Sequence, residues 1–162
     1  MLRALVILAA LLMSACGFQL RGTTDLPFES IFVPAAHQGV ALDIKRNIQS
    51  GTRTKVVDDA VAAQAILQFT QEVREKHILS LSGTGRVREF QLRYRVGFRV
   101  HDGKGGEFLP LNLIELTRDV TFNDAIVLAK QEEDLLLYRD MQTDMVQLIM
   151  RRLAAAKTPK PE

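Results

Sequence analysis

The stretch EFQLRYRVGFRVH, residues Glu89 to His101, alternates without a break. Phe90, Leu92, Tyr94, Val96, Phe98 and Val100 hold one parity, and Glu89, Gln91, Arg93, Arg95, Gly97, Arg99 and His101 the other. Successive side chains of an extended chain project to opposite faces, so this run predicts a long β-strand with one buried face. Ser82-Gly-Thr-Gly85 separates it from an earlier run in which Ala65, Leu67, Phe69, Val73, Leu79 and Leu81 share a parity, with Gln68, Thr70, Glu72, Arg74 and Lys76 on the other. A two-residue hairpin turn at Gly83-Thr84 sets Leu67 against Val100, Phe69 against Phe98 and Val73 against Tyr94, and the apolar sides of the two runs then coincide. The same register places Glu72 opposite Arg95 and Arg74 opposite Arg93, with Lys76 and Arg99 on that side. Directly opposed like charges disfavour a strand pair, so such a face is either fully hydrated or supplied with an anion.

The flanking sequence supplies the rest of the fold. Ser30-Ile-Phe-Val33 reads as a short strand closed by Pro34, and Gly39 to Ser50 places Val40, Ile44 and Ile48 at helical spacing before Gly51, a candidate C-cap. Thr54 to Val57 reads as another short strand. Leu109 to Phe122 predicts a third long strand, and its apolar parity switches between Leu113 and Ile114, which a β-bulge explains. From Gln131 onward, Leu137, Met141, Met145, Ile149 and Leu153 recur at four-residue steps and define a long helix with one apolar stripe. The predicted fold class is α+β: a two-layer sandwich of a mixed, largely antiparallel sheet of about four strands with two helices packed on one face. The other face of the sheet is polar and rich in arginine.

The N-terminus carries a different kind of information. A basic head, Met1-Leu-Arg3, is followed by the apolar run Ala4 to Met13 and the small pair Ser14-Ala15, the pattern of a secretory signal peptide. The run is about half of the roughly 20 residues that span a bilayer. Cys16 follows directly and is the single cysteine of the chain, so it has no thiol with which to form an internal disulfide. This arrangement resembles a bacterial lipoprotein signal; an ordinary signal peptide with a cysteine nearby is the plain alternative. On the lipoprotein reading, residues 1–15 are removed, Cys16 is acylated, and 16–27 form an acylated lead-in to a single domain at 28–155. The polar end at 156–162 is expected to be disordered. By the sorting pattern this resembles, Gly17 after the cysteine implies lipid attachment to the outer membrane, on its periplasmic side, in a Gram-negative cell.

The 21 basic residues against 19 acidic ones give no argument for nucleic acid as a partner. Nor does a catalytic pattern emerge. His77 and His101 fall on different parities, His37 lies in a predicted loop, and no nucleophile motif or metal-ligand spacing appears. The chain reads as a non-enzyme without cofactors, apart from the acyl chains expected on Cys16.

Cys16-Gly-Phe-Gln-Leu-Arg-Gly22, Glu89-Phe-Gln-Leu92 at the head of a long strand, and Leu128-Ala-Lys130 before an acidic turn and a long helix together resemble the LptE family of lipopolysaccharide-assembly lipoproteins. The resemblance implies an outer-membrane lipoprotein that assists assembly of the LptD β-barrel, plugs its lumen and binds lipopolysaccharide on its way to the cell surface. It also implies a lipopolysaccharide-binding basic residue in the loop between the long strands and a lysine before the last helix. Lys130 matches the lysine. Gly83 stands where the loop residue falls, which leaves Arg86 and Arg88 as the nearest candidates, beside Arg74, Arg93 and Arg95 on the strands. Arginine suits lipid phosphate because its planar guanidinium forms paired, charge-assisted hydrogen bonds. A scaffold or lipid carrier for another envelope assembly machine is the competing function.

Overall fold

The computed structural model describes residues 25–35, 38–123 and 126–159. Cys16 and the expected signal peptide lie outside these described residues. The elements run β1 (Ser30–Phe32), α1 (Val40–Gly51), β2 (Lys55–Val57), β3 (Ala65–Leu81), β4 (Val87–His101), β5 (Glu107–Thr121) and α2 (Val127–Ala154). The sheet has five strands in the order β2-β1-β3-β4-β5, because both three-residue strands join it. β1 pairs parallel with β2 and with β3, whereas β3, β4 and β5 form an antiparallel meander. Both helices cover one face, as the α+β reading expects.

The apolar stripes account for that packing. Val40, Ile44 and Ile48 of α1 and Met141, Met145, Ile149 and Leu153 of α2 are fully buried in one cluster with Leu67, Leu92, Tyr94, Val96, Phe98 and Val100 of the sheet. α1 runs through Gly51 itself, and Thr52 ends it by donating both its N–H and its hydroxyl to the carbonyl of Ile48, at 3.2 and 2.8 Å. Past α2, Ala156 packs on the core and the Lys157 N–H donates to the Phe108 carbonyl at 3.0 Å.

The register of the long hairpin departs from expectation halfway along. Leu67 pairs with Val100 and Phe69 with Phe98, but the ladder then shifts between Phe69 and Gln71, so that Gln71 pairs with Gly97 and Glu72 with Val96. Thr70 is the extra residue of a β-bulge, and one inserted residue exchanges the two faces of everything beyond it. Val73 therefore lies opposite Arg95, Arg74 opposite Tyr94 and Glu75 opposite Arg93, in place of the expected Val73–Tyr94, Glu72–Arg95 and Arg74–Arg93 pairs. The like-charge pair of Arg74 and Arg93 does not exist. Gly97 makes the bulge fit: a Cβ there would stand 2.5 Å from Thr70 Oγ1 and 3.1 Å from Gln71 Cγ.

The turn and the last strand are also corrected in detail. Gly83, Thr84 and Gly85 form a three-residue connection, with the Gly85 N–H donating to the Ser82 carbonyl at 2.9 Å and the Ser82 N–H to the Arg86 carbonyl at 2.7 Å. Gly85 takes φ of 78°, the left-handed conformation that closes a turn of this length. In β5, Leu109 pairs with Val100 and Asn112 with Phe98, so Pro110 and Leu111 share the space opposite Arg99. The bulge thus precedes the expected position between Leu113 and Ile114. In consequence Leu111 and Leu113 face outward and are exposed.

Candidate functional site

Beyond the Thr70 bulge the inner side of β3 carries Glu72, Arg74 and Lys76, turned toward the helix layer on the pairing side of Val96, Tyr94 and Leu92. Arg74 Nη2 donates to Gln142 Oε1 of α2 at 2.5 Å, and its guanidinium lies 4.7 Å from the Tyr94 ring centroid and 5.7 Å from that of Tyr138. The Tyr94 hydroxyl donates to Glu72 Oε1 at 2.6 Å, and burial followed by this acidic neighbour pushes its ionisation far up. Gln142 Nε2 continues the chain to Asp43 of α1 at 2.5 Å. Arg74 is thus a structural connector between sheet and helices rather than part of an open basic face.

Lys76 lies nearer the hairpin. Its ammonium pairs with Asp134 of α2 and stands 4.3 Å from the Phe90 ring centroid and 6.0 Å from that of Phe122. Those two rings meet edge to face at 5.1 Å. Lys130 approaches the same end of the sheet from α2: its Nζ is 2.7 Å from Glu133 Oε2 and 3.4 Å from Thr121 Oγ1, and its side chain is only 16% exposed. The Tyr138 hydroxyl adds a bond to the carbonyl of Glu75 at 2.7 Å.

Arg93 and Arg95 occupy the open face, and both are answered by acids. Arg95 Nη2 bonds Glu75 Oε2 at 2.8 Å, and Glu115 lies 3.7 Å from Arg93 Nε and 3.9 Å from Arg95 Nε. The hydrogen bond with His77, reinforced by Arg95, holds the Glu75 carboxyl below the usual glutamate range. Arg86 and Arg88 differ from all of these. Both are exposed at the hairpin end, and among the described residues neither side chain enters an ion pair. The Arg88 carbonyl accepts the Phe122 N–H at 2.7 Å, which ties the start of β4 to the segment that meets Lys76 and Lys130.

The structure therefore sorts the candidates into three places: Arg74 at the partly exposed seam between sheet and helices, Arg93 and Arg95 on a neutralised open face, and Arg86, Arg88 and Lys130 at the distal end. Lys76 joins the distal group, a residue that strand parity had assigned to the wrong face. Apolar side chains surround the group, with Ile78, Leu79 and Leu81 exposed on the hairpin and Val127, Leu128, Leu135 and Leu136 exposed on α2. Cations beside exposed apolar groups can hold a molecule that is anionic at one end and apolar at the other. At the opposite end of the sheet, a cleft of about 730 Å³ is lined by the Arg53–Asp25 pair, with bonds of 2.9 and 2.5 Å, and by Lys55 and Glu29, two cations against two acids. Among the described residues no acidic, histidine or cysteine cluster fits a metal ion, and no helix is long and apolar enough to cross a membrane.

Comparison with known proteins gives this arrangement a context. The profile of LptE, described as lipopolysaccharide-assembly, matches residues 27–153. The chain belongs to the LptE family. That family is non-enzymatic and works without a cofactor. The chain is 26% identical over 150 residues to the LPS-assembly lipoprotein LptE of Photorhabdus laumondii, covering 90% of this chain and 81% of that protein. It is 27% identical over 157 residues to the protein of the same name from Pectobacterium atrosepticum, covering 90% and 80% respectively. The solution structure of a lipoprotein B from Nitrosomonas europaea superposes with a TM-score of 0.73 at 46% identity, over 86% of this chain and 91% of that one. The crystal structure of the rare lipoprotein B from Shewanella oneidensis gives 0.67 at 26% identity, over 78% and 94%.

Proposed function

We propose that the protein is a lipoprotein of the Gram-negative outer membrane, held on its periplasmic side by an acylated Cys16, that assists assembly of the LptD barrel, occupies its lumen and binds lipopolysaccharide in transit. In this reading residues 1–15 are a signal peptide, 16–27 an acylated lead-in and 28–155 the functional domain. Several acyl chains at one residue can anchor a domain in which no described helix is long and apolar enough to cross a membrane, since each buried methylene contributes about 0.8 kcal/mol. The neutralised open face, with Glu75 and Glu115 answering Arg93 and Arg95, suits contact with a hydrated barrel wall.

The observation that carries the lipid-binding part is the distal end, where Arg86 and Arg88, without ion pairs among the described residues, and the lysine Lys130 share the end of the fold with exposed Ile78, Leu79, Leu81 and Leu128. Lipid phosphates would take the cations and acyl chains the apolar side chains. Lys130→Asp combined with Arg86→Asp is expected to weaken lipopolysaccharide binding by about tenfold or more, with the unfolding temperature nearly unchanged. Added salt should weaken binding by the wild-type chain in the same direction, because exposed charges are screened. Unchanged affinity in the folded double variant would move the lipid contact elsewhere. Purification from native membranes without an accompanying LptD-type barrel would favour the competing scaffold function.

A further inference from the structure

Lys76 and Lys130 reach the same few residues from different layers of the fold. One ammonium stands over Phe90 and Phe122, the other touches Thr121, and each is already held by an acid of a single turn of α2, Asp134 for Lys76 and Glu133 for Lys130. We infer that Lys76 and Lys130 form one site for a lipid phosphate, and that Glu133 and Asp134 fill it in the free protein as internal stand-ins which the phosphate displaces. The inference rests on the lipid-binding reading above and adds to it a second cation and a built-in competitor.

Three features point this way. First, Lys76 faces the helix layer beside two aromatic rings yet keeps 32% of its side chain exposed, so its ammonium is reachable from solvent while it stands over the ring faces. Second, the first turn of α2 contains Lys130 and no acid. The helix dipole disfavours a cation at that end, and a glutamate placed after its lysine is the weaker order for a helical pair. The backbone dipole at that end therefore favours negative charge, which Glu133 supplies in the free protein. Third, an ammonium has three donors and a phosphate monoester has three acceptor oxygens, so a phosphate seated between the two lysines has acceptors for both, whereas each carboxylate now serves one. Glu133 is 46% exposed and can swing into water when displaced, whereas Asp134 is 15% exposed and is the acid the phosphate must push off Lys76. The exposed Leu128 and Ile78 then border the bound headgroup with apolar surface.

The test titrates the full chain in non-ionic detergent with diphosphoryl lipid A, with the same lipid stripped of its phosphates, and with inorganic phosphate. Glu133→Gln with Asp134→Asn should bind the diphosphoryl lipid about threefold tighter than wild type, since two competing charges are gone. Lys76→Met should bind it about tenfold more weakly, and Lys76→Arg should recover most of the loss while showing that the fold survives change at this position. The dephosphorylated lipid should bind all four chains alike. Inorganic phosphate should follow the same ranking at far higher concentration, which marks the lipid as the occupant; equal potency of the two would overturn the assignment to a lipid. Equal or weaker lipid binding by the double acid variant, with wild-type binding intact, would make the two acids plain structural latches and overturn the inference while leaving Arg86 and Lys130 in the lipid-binding reading. Absence of lipid binding by the wild-type chain would end both.

Discussion

The two ends of the sandwich are built on different principles. At the base, α1 and the C-terminal half of α2 pack with the sheet into one continuous apolar core, in which Ile44, Phe98, Met145 and Ile149 are fully buried and which β4 continues past the Thr70 bulge through Val96, Tyr94 and Leu92. At the distal end the N-terminal half of α2, from Val127 to Asp140, contributes no fully buried residue; Leu137 and Tyr138 pack partly buried on the core, and polar ties join the segment to the sheet: Lys76 to Asp134, Tyr138 to Glu75 and Lys130 to Thr121. Its leucines at 128, 135 and 136 point away from the core. Burial of apolar area dominates stability, so the base keeps the molecule folded. The distal end is free to spend its side chains on contacts with something else.

The sharpest way to break this division is to place the same charge at both ends. Phe98→Asp buries an unpaired carboxylate in the base and should destabilise the domain by several kcal/mol, whereas Leu135→Asp adds a solvated charge and should change stability by under about 0.5 kcal/mol. Thermal or denaturant unfolding of the two variants decides it, and similar losses would show that the distal end is as much a part of the core as the base. A smaller effect sharpens the boundary between them. Gly97→Ala forces a Cβ against Thr70 Oγ1 and should cost about 1–3 kcal/mol, and Thr70→Gly should return much of it. Additive losses in the double variant would mean that the two residues do not meet at the bulge.

The smallest expected effect concerns acid. Glu75 ionises below the usual glutamate range in the folded protein, through His77 first and Arg95 next. A group depressed on folding contributes stability that is full above its unfolded pKa and is lost as the pH falls through the folded one. The wild-type chain should therefore melt slightly higher than Glu75→Gln near neutral pH, and the gap should close as the pH drops from about 6 to about 3. A gap that stays constant would remove these ion pairs from the stability of the open face.

The base was legible in the sequence and the distal end was not, for a physical reason. Period-2 alternation in β4 and four-residue steps in α1 and α2 report burial against an apolar core, and there the expected pairs Leu67–Val100 and Phe69–Phe98 hold. Beyond the bulge, Gln71 to Lys76 includes one apolar residue, Val73, and it suggested the wrong face. The signal lay on the partner strand: Gly97 interrupts an otherwise bulky run, and a glycine inside a strand marks a bulge or a close approach. In β5 the parity switch was visible but displaced, because Leu111 and Leu113 looked like core positions and are exposed. Lys76 was missed as a distal cation for the same reason that Arg74 was placed on an open face. Both errors follow from one inserted threonine.

β1 carries a consequence for the order of assembly. It is three residues long and wedged between two parallel neighbours, Lys55–Val57 on one side and Ala65–Ile66 on the other. Neither partner is close in the chain, and each contact closes a loop whose entropy must be lost before the pairing is rewarded. The β3–β4–β5 meander needs only the short connections at Gly83–Gly85 and Asp102–Gly106, so it is the part that can form from local contacts. β1 slots in afterwards, between strands that are already positioned. With the lipid proposed for Cys16 in place, folding would run from the meander back toward the tether, and the last segment to lock would be the one that leads to the anchor.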